Sequence, residues 1–422
     1  MSFEKISVIG LGYIGLPTAA IFALHGIKVV GVDVNQDTID TINRGEIHIV
    51  EPDLESIVIK VVDSGHLRAT MTLEPADAFL IAVPTPFIKI HDSLPQPDLS
   101  FVKNAALAIS VVLKKGDLVV LESTCPVGAT NEILSLLKKE RPDLSFPGED
   151  SEISDVNIAY CPERVLPGKI VRELVSNDRI MGGVSRVCAE RAVELYSSFV
   201  TGECIVTNAK TAEMAKLTEN ACRDSQIAFA NEISILCDNM GVDVWELISL
   251  ANRHPRINIL NPGPGVGGHC IAVDPWFIIS ALPEQSKLIH TARNVNVEKT
   301  NWVIDKVKVR ALDLAVEKSI AIDDLKVAYL GLAFKADIDD LRESPSIQIV
   351  LELSKTLKNY FCVEPNISES GLFPLVSLDY AIEQADLLVV LVGHQDFITQ
   401  RQQILNADVD SIDFCGALRL SQ

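Results

Sequence analysis

The stretch Ile6-Ser7-Val8-Ile9-Gly10-Leu11-Gly12-Tyr13-Ile14-Gly15-Leu16-Pro17 decides the reading of the fold. Residues 6–9 are apolar or small and read as a short buried strand. A glycine turn follows, and then a helical stretch over 16–25. Gly10 permits a tight turn, Gly12 lets a pyrophosphate approach the backbone, and Gly15 lets the helix pack close to the sheet. The helix N-terminus then faces the anion. G-x-G-x-x-G spacing alone also fits a turn used only for packing. The next strand, residues 28–32 (KVVGV), adds context because it ends at Asp33. A carboxylate there can accept bonds from ribose hydroxyls and would repel a 2′-phosphate. Val34-Asn35-Gln36 supply no arginine, so the expected cofactor is NAD rather than NADP.

Strand and helix signals keep alternating beyond Asp33. Residues 78–83 (AFLIAV) and 117–121 (DLVVL) read as further buried strands. This alternation predicts a doubly wound parallel sheet of the Rossmann type, class α/β, with helices on both faces. Residues 145–156 (SFPGEDSEISDV) are polar and turn-rich, and read as a loop. Helices are expected over 210–240, ending near Gly241, and over 285–317. Between them, residues 261–269 (NPGPGVGGH) are too rich in Gly and Pro for a helix or strand interior.

The last third echoes the first. Lys326-Val327-Ala328-Tyr329-Leu330-Gly331-Leu332-Ala333-Phe334 repeats the pattern of residues 5–13. Val363-Glu364-Pro365-Asn366 echoes Val32-Asp33-Val34-Asn35, and residues 385–391 (ADLLVVL) echo 76–82 (ADAFLIA). Three echoes in one order predict a second unit of the same kind. Ala333 and Ala336 replace Gly12 and Gly15, so a second copy would not hold a pyrophosphate in the same way. Chance similarity between two strand–turn units is the competing reading.

Composition narrows the partners. The 422 residues suffice for two or three domains, and apolar residues are spread throughout. A net charge of −20 argues against nucleic acid and against an anionic membrane surface. No apolar run approaches the length of a membrane span. Residues 1–5 lack the apolar core of an export signal. Nine cysteines without a C-x-x-C pair give no metal-ligand spacing. A reducing cytoplasmic location is therefore expected.

Cys270 directly follows the Gly-rich loop, where backbone amides can stabilise a thiolate and a ligand can come close. The other cysteines read as inert thiols. Lys216 and Asn220 stand four residues apart, with Arg223 on the same side of the expected helix. Met214, Leu217 and the apolar residues after Ala221 make that helix largely buried, so a lysine and an asparagine there need polar partners. A solvated face fits the spacing equally well. Arg253-His254-Pro255-Arg256 fits a diphosphate site or a surface basic patch. Lys335 and Arg342 can add cations, or pair with Asp339 and Asp340.

These segments together resemble the UDP-glucose/GDP-mannose dehydrogenase family over nearly the whole chain. The resemblance rests on GLGYIGLP (10–17), VPTP (83–86), ESTCPVG (122–128), YCPERVLPG (160–168), AEMAKLTEN (212–220), GVGGHCIAVDP (265–275) and GLAFKADIDDLRESP (331–345). It implies an NAD-binding domain over 1–207 and a central helical domain over 208–310, with the cysteine loop and a homodimer interface. A UDP-sugar-binding domain of similar fold follows over 311–422. It further implies Cys270 as nucleophile, with Lys216, Asn220, Asp274, Glu163 and Thr124 as its catalytic partners. Cofactor contacts are implied for Gly10, Gly12, Tyr13, Ile14, Gly15, Asp33, Thr85, Thr124, Thr130 and Arg342. Substrate contacts are implied for Arg164, Val165, Lys216, Asn220, Arg223, His254, Arg256, Gly267, Phe334 and Lys335.

The implied reaction is a four-electron oxidation of a UDP-sugar at its primary alcohol, through a cysteine-bound thiohemiacetal and thioester. The product would serve surface polysaccharide synthesis. The family's UDP-glucose branch carries P-E-F-L-x-E-G. Its first glutamate falls on Glu163, but its second falls on Pro167. That departure, with RGEIHIVEPDL (44–54), NRHPR (252–256) and CIAVDPWF (270–277), implies UDP-N-acetyl-D-mannosamine rather than UDP-glucose. Two other readings differ in kind. A catalytically silent nucleotide-sugar sensor would leave Cys270, Lys216, Asn220 and Asp274 without purpose. A two-electron 3-hydroxyacid dehydrogenase would leave Cys270 and the second nucleotide-like unit unexplained.

Overall fold

Short runs of mostly β-branched and aliphatic residues form the strands of the first unit, and the central ones are buried on both faces. They are β1 (Lys5–Ile9), β2 (Lys28–Val32), β3 (Leu67–Thr70), β4 (Ala78–Ile81), β5 (Phe87–Ile88), β6 (Gln96–Pro97), β7 (Leu118–Leu121), β8 (Asn157–Tyr160), β9 (Arg179–Gly183) and β10 (Cys204–Asn208). The computed structural model describes residues 3–88, 94–148, 154–166, 168–268, 270–367 and 369–419. Pro167, His269 and part of the expected 145–156 loop lie outside the described residues. The chain divides into two compact units, residues 1–219 with 276–281 and residues 220–275 with 282–422.

In the first unit the sheet order is β10-β9-β8-β7-β4-β1-β2-β3. The six strands from β3 to β8 are parallel in the doubly wound order, with the reversal between β1 and β4. Two apolar clusters cover the sheet. One is built around Leu16, Phe22, Ile42 and Tyr196, the other around Phe79, Ile109, Leu137 and Tyr160. A small antiparallel hairpin, β5 with β6, lies outside the main sheet.

The expected strand at 78–83 ends at Ile81, and that at 117–121 starts at Leu118. Six strands of this unit, β3, β5, β6, β8, β9 and β10, went unread in the sequence, and β9 runs antiparallel to β8. The signal of β9 is weak for a physical reason. Gly182 and Gly183 occupy the end of β9 because helices press on it. A Cβ on Gly182 would fall 2.5 Å from the Ala212 side chain, and one on Gly183 would strike the Ser185 carbonyl oxygen.

The second unit has its own parallel sheet of β11 (Val327–Leu330), β12 (Tyr360–Val363), β13 (Leu387–Val390) and β14 (Asp410–Asp413), in the order β12-β11-β13-β14. This matches β2-β1-β4-β7 of the first unit, so each echo in the sequence falls on the corresponding strand. The parallel reaches individual atoms. Gly10 and Gly331 have φ of 89° and 93°, and their amides donate to Val32 and Val363 at 2.8 Å each. The copies then diverge. In the first, a helix begins at Gly15 and runs to Leu24. In the second, a loop runs on until the helix Pro345–Leu353. No helix start stands at Ala336, so no glycine is needed there.

The long helices span Ala209–Met240 and Lys287–Glu317. The first is less buried than the sequence reading expects. Met214 is 40% exposed, Phe229 52%, Leu236 43% and Met240 73%. One face packs and the opposite face keeps apolar side chains in solvent. From Asn220 onward the packed face carries a polar seam against the second helix. Asp224 meets Arg293 at 3.3 Å and accepts from Asn296 Nδ2 at 2.8 Å. Asn231 donates to Asn296 at 2.9 Å and accepts the Gly263 amide at 2.9 Å. Lys299 Nζ donates to Ser234 at 2.8 Å and sits 3.7 Å from the centre of the Trp302 ring.

Burial pushes the Lys299 ammonium down to about 7, opposed by Asp238 and reinforced by Lys306. An unfolded lysine titrates near ~10.4. Between those values the unfolded chain holds a proton that the folded chain has lost, so stability rises with pH. Lys299→Met is therefore expected to gain on the wild type as pH falls from 9 to 6. Urea unfolding at both pH values checks this, and an equal difference at both would contradict it.

Candidate active site

The glycine turn after β1 forms a cradle open to a ligand. A Cβ on Gly12 would meet nothing within 4 Å, whereas one on Gly15 would strike the Gly10 carbonyl oxygen. Gly12 is thus free for close approach, and Gly15 is demanded by packing. The helix behind the turn has Ile14 at its N-cap and no side-chain cap, which leaves its first amides for an anion. Asp33 Oδ2 accepts the Leu11 amide at 2.9 Å and Oδ1 accepts the Asn35 amide at 2.9 Å. Its carboxylate is fixed beside the turn with lone pairs to spare for ribose hydroxyls. These residues fit the adenosine diphosphate half of NAD.

Further along the same sheet edge, Thr85 Oγ1 donates to the Thr124 carbonyl at 2.6 Å. That bond joins the loops after β4 and β7. Thr130 is fully buried, and its amide and hydroxyl both donate to Glu213 Oε1, at 2.8 and 2.6 Å. Glu213 Oε2 also accepts the Gly128 amide at 2.6 Å, so this carboxylate caps the helix Ala129–Glu140. The Thr130 side chain is engaged with Glu213 rather than open to a ligand.

The loop after β8 carries Glu163, Arg164 and Val165. Glu163 is buried, with Oε2 2.6 Å from Arg179 Nη2 and Oε1 accepting the Arg164 amide at 2.8 Å. The Arg164 side chain pairs with Glu219 at 2.7 Å. Beyond the loop, the amides of Gly168 and Ile170 donate to the buried carboxylate of Glu51 at 2.8 and 2.6 Å. Lys216 is buried on the long helix, one turn before Asn220.

In the second unit Asn220 Nδ2 donates to Asp274 Oδ2, and Asp274 is buried. The Cys270 carbonyl accepts the Asp274 amide at 2.8 Å, while the Cys270 side chain is exposed. The structure therefore brings Cys270, Asp274 and Asn220 together. The glycines before them are set by packing. A Cβ on Gly267 would lie 2.5 Å from the Glu343 carbonyl oxygen and 2.9 Å from Phe334 Cβ. One on Gly268 would lie 2.8 Å from the Phe334 ring.

The loop bearing Phe334, Lys335 and Arg342 is tied down at Asp337, whose amide donates to His394 Nδ1 at 3.0 Å. Because Nδ1 accepts, the ring proton sits on Nε2, 3.1 Å from Glu364. Arg342 forms a bidentate pair with Asp340, and Lys335 is exposed. Arg223, His254 and Arg256 are exposed as well. The residues missed in sequence are Glu51, Glu122, Arg179, Glu213 and His394. Glu51, Glu122 and Glu213 lay within quoted motifs, but nothing in the pattern said that Glu51 and Glu213 bind backbone amides or that Glu122 accepts the Tyr196 hydroxyl.

A nucleotide cradle on one doubly wound unit, and an exposed cysteine beside a buried aspartate on another, define a nucleotide-dependent oxidoreductase built from two Rossmann-like units. Comparison with known proteins gives the family. The chain matches the UDP-glucose/GDP-mannose dehydrogenase family in its NAD binding domain (residues 4–200), central domain (210–298) and UDP binding domain (328–415). It belongs to that family, and NAD is its cofactor.

It is 56% identical to a UDP-N-acetyl-D-mannosamine dehydrogenase of Escherichia coli, over 97% of this chain and 96% of that one. It is 57% identical to an NDP-N-acetyl-D-galactosaminuronic acid dehydrogenase of Ralstonia nicotianae, over 94% and 92%. A solved UDP-D-ManNAc dehydrogenase from Pyrococcus horikoshii superposes with a TM-score of 0.88 at 37% identity, over 99% and 96%. No helix among the described residues is long and apolar enough to cross a membrane, and no group of His, Cys, Asp or Glu among them is placed to hold a metal.

Asp33→Ser is expected to raise the ratio of NADP to NAD in kcat/KM by at least about tenfold, since like charges facing each other cost several kcal/mol. Steady-state kinetics with both cofactors measures the ratio. A wild-type protein using NADP as well as NAD would overturn the role of Asp33.

Proposed function

We propose that this chain oxidises the C6 alcohol of UDP-N-acetyl-D-mannosamine to the carboxylate, in two NAD-dependent steps. The observation that carries the reading is the 56% identity, over nearly the full chain, to a dehydrogenase of that sugar nucleotide. NAD, when bound, supplies the hydride acceptor for both oxidations. The chain supplies the rest. Lys216 and Asn220 stabilise the developing oxyanion, and a water held by Asp274 and Thr124 takes up the alcohol proton. The Cys270 thiolate adds to the aldehyde as a thiohemiacetal, and the second oxidation leaves a thioester. Water assisted by Glu163 releases the uronate. The Asn220–Asp274 bond supports this assignment, because it fixes the amide beside the cysteine turn.

The substrate contacts of Arg164, Val165, Arg223, His254, Arg256, Gly267, Phe334 and Lys335 belong to the same proposal. So do the NAD contacts of Tyr13, Ile14, Thr85, Thr124 and Arg342, while Thr130 serves Glu213 instead. The domain limits 1–207, 208–310 and 311–422 and a cytoplasmic location complete it. A homodimer through the long helix is supported by its exposed stripe of Phe229, Leu236 and Met240. The relative from Ralstonia nicotianae favours a second reading, in which the sugar is an N-acetylgalactosamine derivative.

Two outcomes are expected. Wild-type enzyme should form two NADH per sugar. Cys270→Ser should lose uronate formation by several orders of magnitude while NAD binding, followed by fluorescence titration, persists. One NADH per sugar, or normal uronate from the variant, would remove the covalent route. Separately, kcat/KM should be higher for UDP-N-acetyl-mannosamine than for UDP-glucose by on the order of a hundredfold, because a site built for the amide is left with unpaired polar groups. Assaying UDP-N-acetylgalactosamine alongside separates the two sugar readings. Equal or better use of UDP-glucose would sink both.

A further inference from the structure

Glu163 is held by a residue that no motif marks. Arg179 opens β9, the strand beside β8, and its side chain is only 4% exposed. Its guanidinium lies 4.7 Å from the centre of the Tyr196 ring and 5.6 Å from that of Phe199. Those rings pack edge-on against Phe22 and lie tilted to one another. Arg179 thus sits on a rigid aromatic seat and reaches Glu163 Oε2 at 2.6 Å through Nη2. The other oxygen of Glu163 accepts the Arg164 amide. A carboxylate fixed at both oxygens cannot rotate, and its remaining lone pairs keep one direction.

The other end of the guanidinium is incomplete. Arg179 Nη1 has no hydrogen-bond partner and lies 4.0 Å from Glu122 Oε1. Glu122 Oε1 accepts the Tyr196 hydroxyl, and its Oε2 has no partner. Two buried carboxylates therefore flank one arginine, and only Glu163 is bonded to it. Burial raises the Glu122 carboxyl to about 7, against the pull of Arg179 and the Tyr196 hydroxyl and with the repulsion of Glu163. Cys161 also faces Glu122, which helps push that thiol up after burial itself. A Glu122 that retains a proton does not compete for the guanidinium.

We propose that Arg179 is a positioning residue for the hydrolytic half of the reaction, holding Glu163 so that its unused lone pairs meet the attacking water. This rests on the reading of Glu163 given above. In that step the water oxygen bonds to the thioester carbon and one water proton passes to Glu163. The C–S bond breaks, and its electrons leave with Sγ as the thiolate. Glu163 then returns its proton to solvent, and the uronic acid ionises with loss of the second. No electrons leave the substrate here, so Arg179 has no part in either oxidation.

The test is a single-turnover experiment with NAD and UDP-N-acetyl-mannosamine on the full-length enzyme. It reads the NADH burst, uronate release and the intact mass of the protein. Glu163→Gln is the reference, and Arg179→Gln and Arg179→Lys are the probes. Lysine keeps the buried charge but not the planar fork. With either probe the burst of two NADH should survive. Uronate release should slow on the order of a hundredfold, with the uronyl adduct accumulating on Cys270. A protein weakened only in its core would lose burst and release together. If Arg179→Gln does not fold, Arg179→Lys decides alone. Adduct in Glu163→Gln but wild-type release in the folded Arg179 variants would overturn the role of Arg179. No adduct in Glu163→Gln would overturn the reading of Glu163, and this inference with it.

Discussion

In each unit, a carboxylate at the end of the second strand grips the amide that follows the glycine turn. Asp33 holds Leu11, while Glu364 holds Leu332 and Ala333 at 2.7 and 3.0 Å. The turn puts its glycine at positive φ and directs its amides away from the sheet, so these donors have no ladder partner. A carboxylate satisfies them with charge-assisted bonds. In the first unit the grip keeps the cradle open and leaves lone pairs for a nucleotide. In the second, His394 takes up the same Glu364 oxygen, and the turn serves instead to anchor the loop that packs on Gly267 and Gly268.

The fold was legible because its signals are local. Three echoes and one glycine pattern suffice to place β1, β2 and β4 and their copies, since buried parallel strands are short apolar runs between turns. The boundaries of both long helices were also legible to within about two residues. The strand β9 was not, because glycines demanded by helix contact break its apolar pattern, and β10 was not, because none of its residues is buried. The long helix was read as buried because its apolar residues do not announce which face meets another surface. Met214 and Phe229 show that hydrophobicity alone does not decide burial within one chain.

At the candidate site, residues with a chemical signature were found and residues that steady them were not. Cys270 stood out from its loop and Asn220 from its spacing with Lys216, while Asp274 was reached through the resemblance. Arg179 had no motif to mark it, since an arginine at a strand end is usually a surface residue. Only folding shows it between two carboxylates on an aromatic seat. The engagement of Thr130 with Glu213 and of Arg342 with Asp340 is invisible to spacing for the same reason. Each depends on a specific geometry rather than on residue type.

Glu51 holds the loop beyond Glu163 across 117 and 119 residues of sequence. Bonds to near neighbours, from the Leu166 amide to Glu173 and from the Lys169 amide to the Leu166 carbonyl, shape only part of this loop. It must wait until the stretch around Ile49 and Leu54, which belongs to the first core cluster, has docked beside the helix Gly15–Leu24. Contacts of that separation form late, because chain closure comes before any gain in energy. The segment expected to discriminate among sugars is therefore among the last parts of its unit to settle. The nucleotide cradle, by contrast, is tied by a bond that spans only 22 residues, so recognition of the nucleotide needs far less of the chain in place than recognition of the hexose.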